Sequence, residues 1–273
     1  MEDTMSTAAN DTASDLLAEY RDLDALCATL TPDEWQRRSA FYGWTPWDEI
    51  AHLCYFDETA LVSVTDPERF AREAAALNER AAREEISAIA RDSFGHLDGP
   101  ALLAHWRTRY QALAAALAPL DPKARLGWYG PMMSARSFAT ARLMETWAHG
   151  QDIWDVIRRL RPATPRLKHI AHLGVTTFAW TFVNRGLPVP EAAPYVELQA
   201  PGGAVWTWGD PASADRVSGT AEDFCLVVTQ RRHVADTALD FTAGPVAQWL
   251  AVAQCFAGPP ADGPQPGVRK VAY

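Results

Sequence analysis

Glu145 and His149 stand four residues apart in the run Ala141 to Arg158, and an i, i+4 pair on a helix shares one face, one turn apart. A carboxylate and an imidazole presented this way, joined by a third donor from a neighbouring helix, make the open three-ligand site that catalytic zinc takes. His52 is the best third donor, because it sits within an apolar helical stretch, Ile50 to Phe56, that should face a core and leave its ring in need of a polar partner. A competing reading stays open. An isolated Glu-x-x-x-His pair is also an ordinary helix-surface contact, and an interior histidine is often satisfied by a single hydrogen bond.

The other candidates are weaker. His96, His105, His169, His172 and His233 form no second three-ligand set in the sequence pattern and read as solvated or structural. Asp152, one turn beyond His149, either orients a ligand from behind or pairs with Arg142 or another neighbour, and the pairing is the simpler expectation. Arg231 and Arg232 end an apolar run, Phe224 to Val228, from which an arginine can reach an anion; basic residues at a helix C-terminus also serve its dipole. Trp35, Trp44, Trp47, Trp128 and Tyr129 gather in loop-like stretches, as pocket walls or as core.

Apolar residues at spacings of three and four predict helices over Ala13 to Leu30, from Thr45 past Leu61, over Arg69 to Asp92, over Ala101 to Leu120 and through the Glu145/His149 run. Thr31-Pro32-Asp33-Glu34 and Thr45-Pro46-Trp47-Asp48 both read as capping boxes with proline at the first helical position, and Ser134 as the cap of the Glu145/His149 helix. Up to Leu160 the pattern is helical throughout, which predicts a four-helix bundle with added helices. Arg166 to Arg185 reads as one more helix. The texture then changes to period-two alternation in Tyr195 to Ala200 and Ala204 to Trp208, a hairpin around Pro201-Gly202-Gly203. Further on come a short extended piece at Arg216 to Gly219, a helix capped at Thr220, a strand at Ala238 to Thr242 and a final helix from Gly244-Pro245-Val246. The expected organisation is a disordered start over 1–12, a helical bundle over 13–165, a connecting helix over 166–189, a small α+β domain over 190–260 and a tail over 261–273 that drapes over the surface.

With 273 residues, 48% of them hydrophobic, the chain can bury substantial cores. A formal net charge of -9 and a pI near 5.3 argue against a nucleic-acid or anionic-membrane surface and favour a small-molecule ligand, in a monomer or homodimer. The first ten residues lack a signal-peptide pattern and no run approaches the ~18 apolar residues of a membrane span, so a cytoplasmic protein is expected. Cys27, Cys54, Cys225 and Cys255 lie far apart without a Cys-x-x-Cys pair and read as buried thiols.

At the motifs Trp47-Asp48-Glu49-Ile50-Ala51-His52-Leu53 and Glu145-Thr146-Trp147-Ala148-His149-Gly150-Gln151-Asp152-Ile153 the chain resembles the DinB-like metal-binding bundles, specifically the mycothiol-dependent maleylpyruvate isomerase family, in a bacterial subfamily set apart from the isomerase itself. Gly219 to Phe224 and Val227-Val228-Thr229-Gln230-Arg231 are similar to the strand-to-helix segment of that family's small C-terminal domain. The resemblance implies a fold of mixed class, a DinB-like four-helix bundle followed by a small α+β domain. It also implies metal ligands at His52, Glu145 and His149, a functional arginine at Arg231, and a Zn2+ or another divalent ion such as Ni2+ or Fe2+. Finally, it implies a metal-dependent enzyme that activates a low-molecular-weight thiol, mycothiol, for addition to a small electrophilic metabolite, as isomerase or thiol S-transferase. The alternatives are a metal-dependent hydrolase or lyase of the same fold using metal-bound water, and a non-enzymatic metal- or ligand-binding protein.

Overall fold

The computed structural model describes residues 11–81 and 86–273, and its backbone contacts divide into two compact units. The first comprises residues up to Ser39 and Trp44–Ile153; the second comprises Ala40–Gly43 and Trp154–Tyr273. Of the segment expected to be disordered, residues 1–10 lie outside the described residues, and Asp11 and Thr12 already belong to the first helix.

The first unit holds α1 (Asp11–Cys27), α2 (Pro32–Trp35), α3 (Pro46–Thr65), α4 (Pro67–Ala81), α5 (Ile86–Phe94), α6 (Gly99–Leu117) and most of α7 (Ala135–Val156). Both capping boxes form. Thr31 accepts from the Glu34 amide and Thr45 from the Asp48 amide, while each acidic side chain accepts from its threonine amide. Two orphan donors are thereby satisfied at each start, which fixes where α3 begins and hence the rotational position of every residue along it. Ser134 Oγ accepts from the Ser137 amide at the head of α7. The start of α6 is capped by Asp98, whose carboxylate accepts from the Ala101 amide, and a Cβ at Gly99 would stand 2.4 Å from the Trp35 ring, so the glycine lets the indole lie on the helix.

One buried carboxylate ties four helices together. Asp57 on α3 accepts from Tyr20 of α1 at 2.6 Å, Trp106 of α6 at 2.8 Å and Arg142 of α7 at 2.9 Å, and no part of it reaches solvent. A second clasp joins α1 to α6, where Asp24 receives both guanidinium arms of Arg107 and the Tyr110 hydroxyl. Apolar layers of Leu16, Leu23, Ile50, Leu53, Leu102, Leu113, Phe138 and Leu143 fill the space around these polar contacts.

The stretch Arg69 to Asp92 is helical on both sides of residues 82–85, which lie outside the described residues, as α4 and α5. One detail differs from the sequence expectation. The aromatic loop before α7 is pinched by a two-residue ribbon, β1 (Arg125–Leu126) against β2 (Met133–Ser134), too short for any alternation to show in the sequence.

The second unit contains α8 (Leu167–Thr176), α9 (Phe178–Asn184), β3 (Tyr195–Gln199), β4 (Val205–Trp208), β5 (Arg216–Thr220), α10 (Ala221–Val228), β6 (Asp240–Phe241) and α11 (Pro245–Val252). The helix expected over Arg166 to Arg185 is broken at Thr177. The hydroxyls of Thr176 and Thr177 bond back to the carbonyls of His172, Leu173 and Gly174, and such side-chain bonds compete with regular helical continuation. The sheet runs β4-β3-β5-β6: β3 and β4 form the expected antiparallel hairpin, β5 lies parallel to β3 with Val196 beside Val217, and β6 is antiparallel to β5. The sheet packs against α10, whose Phe224 meets Trp249 of α11, and Trp249 meets Phe178 of α9, the rings crossing at steep angles. The tail is anchored as well as draped, since Arg269 donates to the Gln230 carbonyl and the Tyr273 hydroxyl to Asp155.

Candidate metal centre

The helix geometry turns the sequence pattern into a cluster. His52 on α3 meets Glu145 and His149 on α7, and their donor atoms all lie within 4.8 Å of one another. His149 Nε2 stands 3.2 Å from Glu145 Oε2, and His52 Nε2 stands 3.8 Å from the same oxygen. Donors about 2.1 Å from a tetrahedral centre stand roughly 3.4 Å apart, so these separations bracket what a zinc ion requires. Two imidazoles and one carboxylate are a donor set that suits Zn2+ and its divalent neighbours. The residues present therefore fit the metal that the sequence led us to expect.

The surroundings reinforce the fit. Glu49, 1% exposed, receives His149 Nδ1 at 2.7 Å, and Asp152 falls with Glu49 and His149 into a second group of closely spaced donors. Three carboxylates thus lie close to His149. Burial by itself would raise the Glu145 carboxyl, yet the facing His149 and His52 rings hold it well below the ordinary carboxylate range. Trp44 lies parallel to the His149 ring, centroids 5.8 Å apart, and Phe56 flanks His52 from the other direction at 4.8 Å. These rings limit how the two imidazoles can turn. Phe56 continues into Trp128 and Tyr129, which also contact Phe70. The two tryptophans nearest the helix starts serve otherwise: Trp35 packs under Gly99, and Trp47 donates to the Leu97 carbonyl.

Three sequence expectations are corrected here. Arg142 is committed to Asp57, so the alternative that pairs Asp152 with Arg142 falls, while Asp152 lies in the surroundings of His149. A second three-donor group does exist among the remaining histidines: Cys54, Glu58 and His105 converge between α3 and α6. Its carboxylate oxygen already faces His105 at 2.7 Å and Arg109 at 2.9 Å, and burial pushes the Cys54 thiol well above the usual range. A guanidinium on that oxygen and a thiol resistant to ionisation make it an ion-pair cluster rather than a metal site. Glu49 was missed outright. It shares the His52 face of α3, three residues earlier, but in the first turn of a helix an acidic residue needs no special explanation.

Arg231 and Arg232 lie in the second unit and differ in what they touch. After α10, Gln230 adopts φ +59 and the amides of Gln230 and Arg231 bond back to the carbonyls of Val227 and Leu226, a Schellman end that sets the direction of Arg231. Arg231 is buried, donates to the Thr229 carbonyl and lies 4.4 Å over the Phe41 ring. Arg232 is spent on a two-armed ion pair with Asp155, at 2.6 and 2.8 Å.

The first unit is thus a helical bundle of the class that presents one imidazole from its third helix and a carboxylate-imidazole pair from its last long helix, and comparisons with known proteins place it in a family. Residues 16–154 match the family model for the mycothiol maleylpyruvate isomerase N-terminal domain. Uncharacterized proteins from two strains of Mycobacterium tuberculosis, CDC 1551 / Oshkosh and ATCC 25618 / H37Rv, are each 44% identical over 257 residues, covering 92% of this chain and 96% of theirs. Crystal structures of the mycothiol-dependent maleylpyruvate isomerase and of a histidine-to-alanine mutant of it share the fold. Their TM-scores are 0.50 and 0.51 at 15% and 14% identity, covering 80% of this chain and 87% of theirs. The chain belongs to the mycothiol maleylpyruvate isomerase N-terminal domain family. Among the described residues no helix is long and apolar enough to cross a membrane.

Proposed function

We propose that this protein is a metal-dependent enzyme that uses a low-molecular-weight thiol, mycothiol, on a small electrophilic metabolite, as an isomerase or a thiol S-transferase. The observation that carries the reading is the convergence of His52, Glu145 and His149 at separations suited to a single divalent ion. Family membership supports the choice of thiol and of reaction. The three residues would hold Zn2+, or Ni2+ or Fe2+ in its place, and such an ion makes thiolate available at neutral pH from a thiol whose free pKa is about 8.5.

The chain's own groups do the remaining work. His52 and His149 are limited in rotation by Trp44 and Phe56, which keeps the donor set formed before anything binds. The family resemblance at Arg231 supports giving it the carboxylate or developing enolate oxygen of the electrophile. Thiolate sulfur adds to the electron-poor carbon of a double bond, the pair shifts towards the carbonyl, and after rotation about the new single bond the pair returns and expels the thiolate, which gives the isomer. Protonation of the adduct before expulsion gives a thioether instead, the transferase outcome.

The test is turnover of maleylpyruvate and of simple electrophilic alkenes by metal-reconstituted protein with and without mycothiol, products separated by mass. Activity that needs both metal and thiol supports the reading. Activity with metal and no thiol moves the protein to the hydrolase or lyase class, and metal binding without turnover of any kind leaves a binding protein.

A further inference from the structure

The reverse side of His149 is as defined as its metal-facing side. Its Nδ1 meets Glu49 Oε2 at 2.7 Å, with the two side chains 6% and 1% exposed. A carboxylate offers only acceptors, so the bond places a proton on Nδ1, and with a cation among the three donors Nε2 is the nitrogen left to face it beside Glu145 and His52. His52 has no such support, for its Nδ1 is buried without a hydrogen-bond partner among the described residues, and packing by Trp44 and Phe56 orients it. Both imidazoles are packed by rings, and His149 alone has a carboxylate behind it as well.

We infer that Glu49 is a positioning residue for the metal centre, acting through His149 by fixing its tautomer and ring orientation; the inference rests on the metal reading above. Because Glu49 lies three residues before His52, α3 carries both a ligand of its own and the group that aims a ligand of α7. The coupling runs across the helix pair: a shift of α3 along its axis would disturb both imidazoles together. Asp152, grouped with Glu49 and His149, adds negative charge on the same side. A carboxylate-histidine pair of this kind raises the basicity of the ligating nitrogen and tightens its hold on a cation.

The experiment compares the intact protein with Glu49→Gln, which keeps an acceptor oxygen but loses the charge, and Glu49→Leu, which loses both. Zinc affinity is read by competition with a chromophoric chelator at neutral pH, after circular dichroism has confirmed that each metal-free variant is folded. Orienting carboxylates are worth about 10–100-fold in metal affinity, so Glu49→Leu should weaken zinc binding by that factor and Glu49→Gln by an intermediate one. Nitrogen shifts of the zinc-loaded protein give a reading that a merely structural role would not move. His149 should show a protonated Nδ1 in the intact protein and lose the downfield Nδ1 proton signal in Glu49→Leu.

Should the Glu49→Leu variant not fold, Glu49→Gln decides by the same two readings. Affinities of folded variants within about twofold of the intact protein overturn the inference and leave the metal reading standing. An intact protein that binds no zinc overturns both.

Discussion

Arg142 Nε lies 2.9 Å from Asp57 Oδ1 in the middle of the bundle, with both side chains buried, and this pair stands one turn before Glu145 on α7. Tyr20 shares Oδ1 with Arg142 and Trp106 donates to Oδ2, so the carboxylate is held from three helices. Removing one member of such a set leaves a buried charge without its counterpart. Asp57→Ala should therefore destabilise the protein by roughly 3–5 kcal/mol, read as a lower denaturant midpoint at neutral pH. A cost below about 1 kcal/mol would place the pair among ion pairs of surface strength.

The capping box of α3 makes a smaller and separable contribution. Thr45→Ala removes the acceptor for the Asp48 amide and should cost about 1 kcal/mol of stability. Since the same box sets the start of the helix that carries Glu49 and His52, zinc affinity should fall along with the midpoint. Thr31→Ala, at the corresponding position of α2, should lower stability while leaving zinc affinity unchanged.

All four cysteines are buried, and burial pushes the thiols of Cys27, Cys54 and Cys225 well above the usual range. A thiol reagent at mildly alkaline pH should find almost no reactive sulfur in the native protein and four equivalents after denaturation. Fast labelling of one equivalent in the native state would point to Cys54 and reopen its cluster with Glu58 and His105 to a chemical role.

Arg231→Met and His149→Ala should separate anion holding from metal binding. The arginine variant should keep its zinc and lose turnover, whereas the histidine variant should lose the zinc itself, because one of three ligands is gone. Zinc should also leave the intact protein on acidification, since imidazole binds a metal only in its neutral form. Metal content unchanged by His149→Ala would mean that the ligands are misassigned.

How much of this was legible in the sequence depended on whether the signal was local. The threonine caps, the hairpin at Pro201-Gly202-Gly203 and the Glu145/His149 pair each declare themselves within a few residues, and each appears as expected. His52 joined them because a histidine amid Ile50, Leu53 and Phe56 stands out. Glu49 stayed hidden because its partner is 100 residues away and its place in a first helical turn looked ordinary. Asp57 escaped for the same reason, its three partners coming from three other helices. Trp44 and Phe41 are three residues apart in one aromatic loop, yet Trp44 packs on His149 while Phe41 packs under Arg231; spacing alone could not divide them. The break at Thr177 contains neither glycine nor proline and so gave no signal.

The central claim is that His52, Glu145 and His149 hold a metal whose remaining position receives the thiol, and X-ray absorption at the zinc edge tests it most directly. Zinc-loaded protein should show nitrogen and oxygen neighbours at about 2.0–2.2 Å and no sulfur, and mycothiol should add one sulfur at about 2.3 Å. A shell that contains sulfur before the thiol is added, or one that saturating mycothiol leaves unchanged, would contradict the account.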